Sequence, residues 1–153
     1  YKREFGLSVS IARIFNTYGP NSSEKDSRVI PHFIMQALRS KDLTVHGDGT
    51  QTRSFCYVDD MVLGLKEIME SSSSGPFNLG NPQEYKIKKV ASIILNLTGS
   101  KAKIRFTARL PDDPQVRKPD ISNAKKNLNW TPRVGFKYGL VSTIKYFKKL
   151  LPS

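Results

Sequence analysis

The chain has 153 residues, of which 38% are hydrophobic and 25% are charged, a balance typical of a folded domain with its own core. Lys and Arg number 25 against 13 Asp and Glu, and the formal net charge of +12 suits an anionic partner such as a nucleic acid, a membrane surface or a phosphorylated metabolite. The single cysteine, Cys56, excludes an intrachain disulfide, and no apolar stretch approaches the roughly 20 residues of a membrane-spanning helix.

Segments whose apolar residues have the spacing of a β-strand alternate along the chain with segments whose apolar residues have the spacing of an α-helix. Asp59 and Asp60 are predicted to cap a helix, Gly99 is predicted to end another, and Gly-Asp-Gly at residues 47–49 predicts a turn. In chain order, the first predicted elements are a helix end at Tyr1–Phe5, a strand at Leu7–Phe15, a helix at Ile30–Leu38, strands at Leu43–His46 and Arg53–Val58, and a helix at Met61–Met69. A loop at residues 71–76 follows, and an apolar pattern resumes at residues 77–79. The remaining predicted elements are a helix at Ile87–Leu97, a strand at Ala102–Phe106, and helices at Ile121–Leu128 and Gly139–Leu151.

The order of these elements indicates an α/β or α+β architecture. The strands are too few for a complete doubly wound sheet. A glycine-rich turn that binds a dinucleotide should follow a first strand and open a helix, whereas the glycines of residues 47–49 lie between two predicted strands. The sequence therefore predicts an α/β unit without a dinucleotide-binding turn of its own.

Two polar side chains stand out as candidates for an anion site. Residues 16–20 follow the first predicted strand, at the edge where an open α/β sheet places its ligand. The amide of Asn16 can donate to a phosphate oxygen, although an asparagine before Gly-Pro is equally suited to a turn. Arg53 carries a planar guanidinium group that matches the geometry of a phosphate. The alternative interpretation is that Arg53 is a solvent-exposed arginine on an edge strand with no ligand.

Several motifs occur in the order found in one enzyme family, and the match extends over nearly the whole chain. They are ARIFNTYGP (residues 12–20), LTVHGDGTQTRSF (43–55), YVDDMV (57–62), FNLGNP (77–82) and DDPQVRKPDI (112–121). The chain resembles the extended short-chain dehydrogenases/reductases that modify sugar nucleotides, and DDP-x-x-RKPDI with the later LNWTP is similar to their UDP-glucuronate decarboxylase branch. ARIFNTYGP and TRSF alone also fit dTDP-glucose 4,6-dehydratases and UDP-sugar 4-epimerases, so both stay alternatives. The departure from that branch at Pro31 and His32 favours the dehydratase among them, because the dehydratases have Pro there.

The resemblance implies the C-terminal part of an extended Rossmann-type enzyme, with residues 1–20 ending the dinucleotide-binding domain and residues 21–153 forming mainly the substrate-binding subdomain. It implies NAD as the cofactor and the conversion of UDP-glucuronate to UDP-xylose as the reaction. The family's catalytic Tyr-x-x-x-Lys pair and glycine-rich turn are expected upstream of Tyr1. No catalytic residue is therefore assigned to this chain, which is predicted to be inactive alone. Tyr85 and Lys89 satisfy the bare spacing, but the family uses this position for packing, so we interpret them as a chance match.

The resemblance also assigns site residues one by one. Those expected to contact the sugar nucleotide are Tyr1, Glu4, Asn16, Val45, His46, Arg53, Arg117 and Asp120. Thr17 and Arg28 match positions near the nicotinamide end of NAD. Arg117 is expected to face the sugar carboxylate, and Asp120 either closes over the nucleotide with it or caps the following helix. Lys118 is interpreted as a solvated charge.

The partners implied by the resemblance are a UDP-sugar substrate, the N-terminal half of the parent chain and a second copy in a homodimer. Contact with nucleic acid is not expected, because the sequence has no RRM, KH or zinc-finger signature. Contact with a membrane is not expected, because no apolar stretch is long enough to span one. A non-catalytic basic binding module stays the alternative, and two histidines with one cysteine give little support to a metal site. The expected compartment is the cytoplasm or the Golgi lumen.

Overall fold

The computed structural model describes residues 2–109 and 114–151 and shows the α/β architecture that the sequence predicts. The helices are α1 (Lys2–Phe5), α2 (Val29–Leu38), α3 (Val58–Glu70), α4 (Ile87–Thr98), α5 (Ser122–Leu128) and α6 (Phe136–Leu150). The strands are β1 (Ala12–Ile14), β2 (Thr17–Tyr18), β3 (Leu43–His46), β4 (Thr52–Ser54), β5 (Cys56–Tyr57), β6 (Phe77–Leu79), β7 (Glu84–Lys86), β8 (Ile104–Thr107) and β9 (Val116–Arg117). Strands β1–β6, β2–β5 and β3–β8 form parallel pairs, while β4 lies between antiparallel β7 and parallel β9.

Helices α2, α4 and α6 form one hydrophobic core together with β3. Their buried residues recur every three or four positions, so each helix presents one apolar face to the others. These residues are Ile30, Phe33, Ile34 and Ala37 in α2, Ile87, Val90, Ala91 and Ile94 in α4, and Phe136, Leu140, Ile144 and Phe147 in α6. Gly99 follows α4 with a φ of 71°, in the left-handed region, and ends this helix as predicted.

A second core packs α3 and α5 against the parallel pair β1–β6. Its buried members are Cys56, Met61, Ile68, Phe77, Leu79, Ala124, Leu128 and Trp130. Burial raises the pKa of the Cys56 thiol to about 12, so this cysteine packs as a small neutral residue. Ile11 and Ile14, in and beside β1, are 55% and 58% exposed. One side of β1 therefore presents apolar side chains to solvent.

Two predicted strands are longer than the strands in the structure. The strand predicted at Leu7–Phe15 pairs with β6 only over Ala12–Ile14. The strand predicted at Arg53–Val58 is divided into β4 and β5, because the chain changes pairing partners at Phe55. Strands β2, β6, β7 and β9 were not predicted, because strands of two or three residues are defined by their neighbours rather than by a pattern of their own.

The helix cap assigned to Asp59 and Asp60 is wrong, because α3 begins before them and both lie in its first turn. Asp60 is 2% exposed, and its carboxylate oxygens accept the backbone N–H groups of Arg133 and Val134 at 3.0 and 2.9 Å. Its backbone carbonyl accepts the indole Nε1–H of Trp130 at 3.0 Å. Asp60 therefore fastens the loop between α5 and α6 to α3.

Asp60→Ala is expected to lower the free energy of unfolding by about 2 kcal/mol, because it removes two hydrogen bonds to a charged acceptor in a partly buried loop. Urea unfolding followed by circular dichroism measures the difference. Asp59→Ala removes the neighbouring exposed carboxylate and is the matched control, with an expected change below about 0.5 kcal/mol. Equal losses in the two variants would contradict the role given to Asp60.

Candidate functional site

A cavity of about 540 Å³ lies among β2, β3, β4 and the start of α2, and this volume is typical of a small-molecule site. Gln51, Arg53 and Phe55 line it at alternate positions, as the two-residue period of a strand requires. The cavity also brings together most of the residues assigned from the sequence, which are Asn16, Thr17, Arg28, Val45, His46, Arg53 and Arg117.

Two arginines face this cavity from neighbouring strands. Arg53 on β4 and Arg117 on β9 are direct partners in a parallel ladder, so their Cα atoms are about 4.8 Å apart. Arg53 is 8% exposed and donates from Nη1 to the carbonyl of Thr52 at 2.6 Å, whereas Arg117 is exposed. Like charges on opposed strand positions repel, and a bound anion between the guanidinium groups replaces that repulsion with charge-assisted hydrogen bonds.

Asn16 lies in the link between β1 and β2, beside the arginines. Its Nδ2 donates to the backbone carbonyl of Ser54 at 3.4 Å. A side-chain amide carries two N–H donors, so this single bond leaves a second donor for a ligand. The cavity therefore combines an amide donor with two guanidinium groups.

Arg28 and Thr17 form another part of the lining. The Nη1 of Arg28 donates to the Thr17 carbonyl at 3.3 Å, and its Nη2 lies 2.5 Å from the carboxylate of Asp26. Hydrogen bonds from this guanidinium hold the pKa of the Asp26 carboxyl below its usual range. Both groups are therefore charged at neutral pH, and the ion pair fixes Arg28 beside Thr17.

His46 is held by two further contacts, one to its ring and one to its backbone. Its Nδ1 lies 2.9 Å from the hydroxyl of Thr107, its direct partner in the β3–β8 ladder. Gln51, which is 5% exposed, donates from Nε2 to the carbonyl of His46 at 2.7 Å. Val45 is fully buried next to it. Thr107 on β8 and the Gln51 side chain therefore hold the end of β3, which carries His46, in place.

Glu4 and Asp120 do not belong to the lining that is formed by the described residues. Glu4 is exposed on α1, and Tyr1 lies outside the described residues. Asp120 accepts hydrogen bonds at Oδ1 from the backbone N–H and the hydroxyl of Ser122 at 2.9 and 2.6 Å, and these bonds hold its carboxyl pKa below the usual range. Asp120 thus supports the start of α5, although the capping position itself is Ile121.

The Tyr-x-x-x-Lys spacing of Tyr85 and Lys89 does not lie on a single helix, because Tyr85 belongs to β7 and Lys89 to α4. The Tyr85 ring stacks on that of Phe136 with centroids 4.2 Å apart, which is a packing role. Lys118, which follows β9, is exposed as expected for a solvated charge, and its Nζ lies 3.8 Å from the carboxylate of Glu84. Both side chains of this pair are partly exposed, so it contributes little to stability.

Sequence reasoning missed Ser54 and Gln51, which are 3% and 5% exposed. The Ser54 hydroxyl donates to the backbone carbonyl of Arg117 at 3.0 Å. A buried polar side chain requires a hydrogen-bond partner, so the signal available in the sequence was the polar run Gln51, Thr52 and Ser54 around Arg53, at and just before a predicted strand. Their partners are distant in sequence, and the pattern alone does not identify them.

The charged side chains in the described lining are cationic: Arg28, Arg53 and Arg117 contribute to it, and no carboxylate from residues 2–109 or 114–151 does. In those same ranges, no three side chains of His, Cys, Asp or Glu gather into a group able to hold a metal ion. None of the described helices is long and apolar enough to cross a membrane. The three arginines give this lining a charge that suits an anionic ligand.

Comparison with known proteins defines the class. Residues 1–80 match the model of the NAD dependent epimerase/dehydratase family, and the chain belongs to this family. It is 50% identical over 151 residues to UDP-glucuronic acid decarboxylase 1 of Xenopus tropicalis, a match that covers 99% of this chain and 36% of that protein. It is also 50% identical over 140 residues to UDP-glucuronic acid decarboxylase 3 of Arabidopsis thaliana, with 92% of this chain and 41% of that protein covered. The chain thus spans less than half the length of these curated relatives.

Solved structures show the same Rossmann-like α/β fold. The UDP-glucose 4-epimerase of Thermotoga maritima, determined with UDP-glucose, is 29% identical with a TM-score of 0.93, and the match covers 99% of this chain and 49% of that one. The UDP-glucuronic acid 4-epimerase of Bacillus cereus, in complex with UDP-glucuronic acid and NAD, is 32% identical with a TM-score of 0.89, and the match covers 99% and 48%. The fold of this chain corresponds to about half of each epimerase.

Proposed function

We propose that this chain supplies the sugar-nucleotide site of an NAD-dependent UDP-glucuronate decarboxylase, which converts UDP-glucuronate to UDP-xylose and carbon dioxide. The observation that carries the proposal is the pair Arg53 and Arg117 in a cavity whose described lining has no carboxylate. UDP-glucuronate brings a diphosphate and a sugar carboxylate, and guanidinium groups suit both anions. The names of the relatives at 50% identity support the choice of reaction.

Each part of the substrate has a proposed partner in the cavity. Arg53 and the Asn16 amide bind the diphosphate, because a buried guanidinium and an amide donor converge there. Arg117, which is more exposed, binds the carboxylate of the sugar. Val45 and His46 border the uracil ring, and the buried amide of Gln51 fixes the backbone on which they lie. The site is thus prepared before the ligand binds.

Thr17 and Arg28 are the residues of this chain that would face NAD. A hydroxyl and a guanidinium suit the carboxamide and phosphate oxygens of such a cofactor, and both residues line the cavity next to Asn16. Bound NAD would supply reversible hydride transfer at carbon 4 of the sugar. The carboxylate beta to the resulting ketone would leave as carbon dioxide, a proton would take its place on the sugar, and the hydride would then return to carbon 4. Arg28 keeps its charge and position through Asp26, and Arg117 orients the sugar carboxylate.

The dinucleotide-binding half of such an enzyme is proposed to cover the apolar side chains around β1. Phe5, Leu7, Ile11 and Ile14 are each more than half exposed, and clustered exposed apolar side chains mark a contact surface. Residues 1–20 would then complete the dinucleotide-binding domain, and residues 21–153 would form mainly the substrate-binding subdomain. A homodimer of the whole protein is proposed on the resemblance to the family alone.

Arg117→Ala tests the sugar-carboxylate assignment. It is expected to weaken UDP-glucuronate binding about tenfold, because one charge-assisted contact is lost, while the affinities for UDP and UDP-glucose change much less. Calorimetric titration of the chain with the three ligands measures the difference. Lys118→Ala removes the adjacent positive charge, which lies outside the described lining, and is the matched control.

Equal losses for UDP-glucuronate and UDP-glucose in Arg117→Ala would refute the assignment of the sugar carboxylate to Arg117. The alternative of a UDP-sugar 4-epimerase would then gain, because the fold matches that of a UDP-glucose 4-epimerase with a TM-score of 0.93. The alternative of a dTDP-glucose 4,6-dehydratase would gain support from the same result. A change of similar size in Lys118→Ala would instead indicate a general effect of net charge.

A further inference from the structure

Ser54 does not line the cavity, yet it follows Arg53 in the chain and its polar atoms bond to the other two residues proposed to bind anions, Asn16 and Arg117. It follows Arg53 in β4, and strand alternation turns its side chain to the opposite face. Its hydroxyl donates to the backbone carbonyl of Arg117 at 3.0 Å, and its own carbonyl accepts the Nδ2–H of Asn16 at 3.4 Å. Ser54 is 3% exposed, so water competes little for these bonds.

Strand β9, which carries Arg117, is short, and both of its residues are exposed. Next to its first residue, the carbonyl of Gln115 accepts a backbone N–H from β4 at 2.9 Å. The ion pair between Lys118 and Glu84, at 3.8 Å, is partly solvated and holds the strand weakly. The Ser54 hydroxyl therefore provides a buried attachment at the residue that presents the guanidinium to the cavity.

We propose that Ser54 is a positioning residue whose hydroxyl holds Arg117 beside Arg53, so that both guanidinium groups reach the same bound ligand. This inference rests on the proposed sugar-nucleotide site and adds to it a side chain that touches no ligand. The two guanidinium groups repel each other across neighbouring strands, and this repulsion favours movement of Arg117 away from Arg53. The hydrogen bond from Ser54 opposes that movement before the ligand arrives, which is preorganisation.

Ser54→Ala is expected to weaken UDP-glucuronate binding about fivefold, which corresponds to the loss of one hydrogen bond that places a ligand-binding group. In an Arg117→Ala background the same substitution is expected to change the affinity by less than about twofold, because the positioned guanidinium is gone. Residues that act through each other give such non-additive effects, whereas independent residues give additive ones. Calorimetric titration of the unchanged chain, the two single variants and the double variant measures this coupling.

Thr143→Val is the matched control for the loss of a buried hydroxyl. Thr143 is fully buried, and its hydroxyl donates to the carbonyl of Gly139 at 2.7 Å within α6. This variant is expected to lose stability without losing affinity for UDP-glucuronate. Ser54→Cys keeps a weaker donor of similar size, so its affinity should lie between those of the unchanged chain and Ser54→Ala. It takes the place of Ser54→Ala in the cycle if the alanine variant does not fold.

Coupling between the substitutions at Ser54 and Arg117 is the expected result. The inference would be overturned if Ser54→Ala weakened UDP-glucuronate binding by the same factor with and without the Arg117 side chain. It would also be overturned if Thr143→Val lost as much affinity as Ser54→Ala. Either result would leave the proposed sugar-nucleotide site unaffected. If the unchanged chain does not bind UDP-glucuronate, the proposed site fails and the inference fails with it.

Discussion

Arg53→Ala is expected to weaken the binding of UDP and of UDP-glucuronate by similar factors of about ten to a hundred. Both ligands carry the same diphosphate, and hydrogen bonds to a charged group are worth roughly 1.5–3 kcal/mol. Arg53 is 8% exposed and lies on the central strand of the β7–β4–β9 sheet, so the protein shields it from solvent. Calorimetric titration with each ligand gives the two factors.

Arg105→Ala is the matched control, because it removes a guanidinium that pairs with the carboxylate of Asp42 at 2.5 Å and does not line the cavity. Both affinities should then stay within about twofold, since salt screens distant surface charges. Arg53→Lys keeps the charge but loses the planar fork, so an intermediate loss is expected. An unchanged affinity, or a loss for only one of the two ligands, would contradict the assignment of the diphosphate to Arg53.

The chain alone is expected not to convert UDP-glucuronate to UDP-xylose when NAD is added. The resemblance places the Tyr-x-x-x-Lys base upstream of Tyr1, and general acid–base catalysis alone contributes about 10²–10⁴-fold to a rate. Tyr85 and Lys89 are not a substitute, because the Tyr85 ring stacks on Phe136 and Lys89 is exposed on a different element. Chromatographic detection of UDP-xylose over time measures the rate.

Conversion by this chain that disappears in Tyr85→Phe would show that the packing role given to this tyrosine is wrong. Tyr138→Phe is the matched control, because Tyr138 is 70% exposed on α6 and does not line the cavity. Conversion that survives both substitutions would place the base at another residue of this chain.

The helices were predictable because their apolar spacing is a local property. The buried residues of α2 and α4 recur at helical intervals. Gly99 ends α4 because the residue after this helix adopts a left-handed backbone conformation, which glycine takes up without strain. Helix α6 begins at Phe136, three residues before the predicted start at Gly139. The ring of Phe136 packs against those of Tyr18 and Phe55, which are distant in sequence, so no local pattern indicates this start.

The strands and the site were predictable in part. The structure confirms that Asn16, Arg53 and Arg117 meet in one cavity, which their side-chain chemistry and the resemblance predicted. Strands β7 and β9 exist because they pair with β4, and with three and two residues they are too short to carry a strand pattern of their own. The roles of Ser54 and Asp60 depend on backbone groups more than 60 positions away, and only the folded chain shows them.

Calorimetric titration of the unchanged chain with UDP-glucuronate, UDP and uridine tests the central claim most directly, which is that the cavity binds a sugar nucleotide through its anionic groups. We expect saturable binding of UDP-glucuronate and UDP that is lost when Arg53→Ala and Arg117→Ala are combined, and no measurable binding of uridine, which has no phosphate. Uridine binding as strong as that of UDP, or UDP-glucuronate binding that survives the double substitution, would contradict the claim.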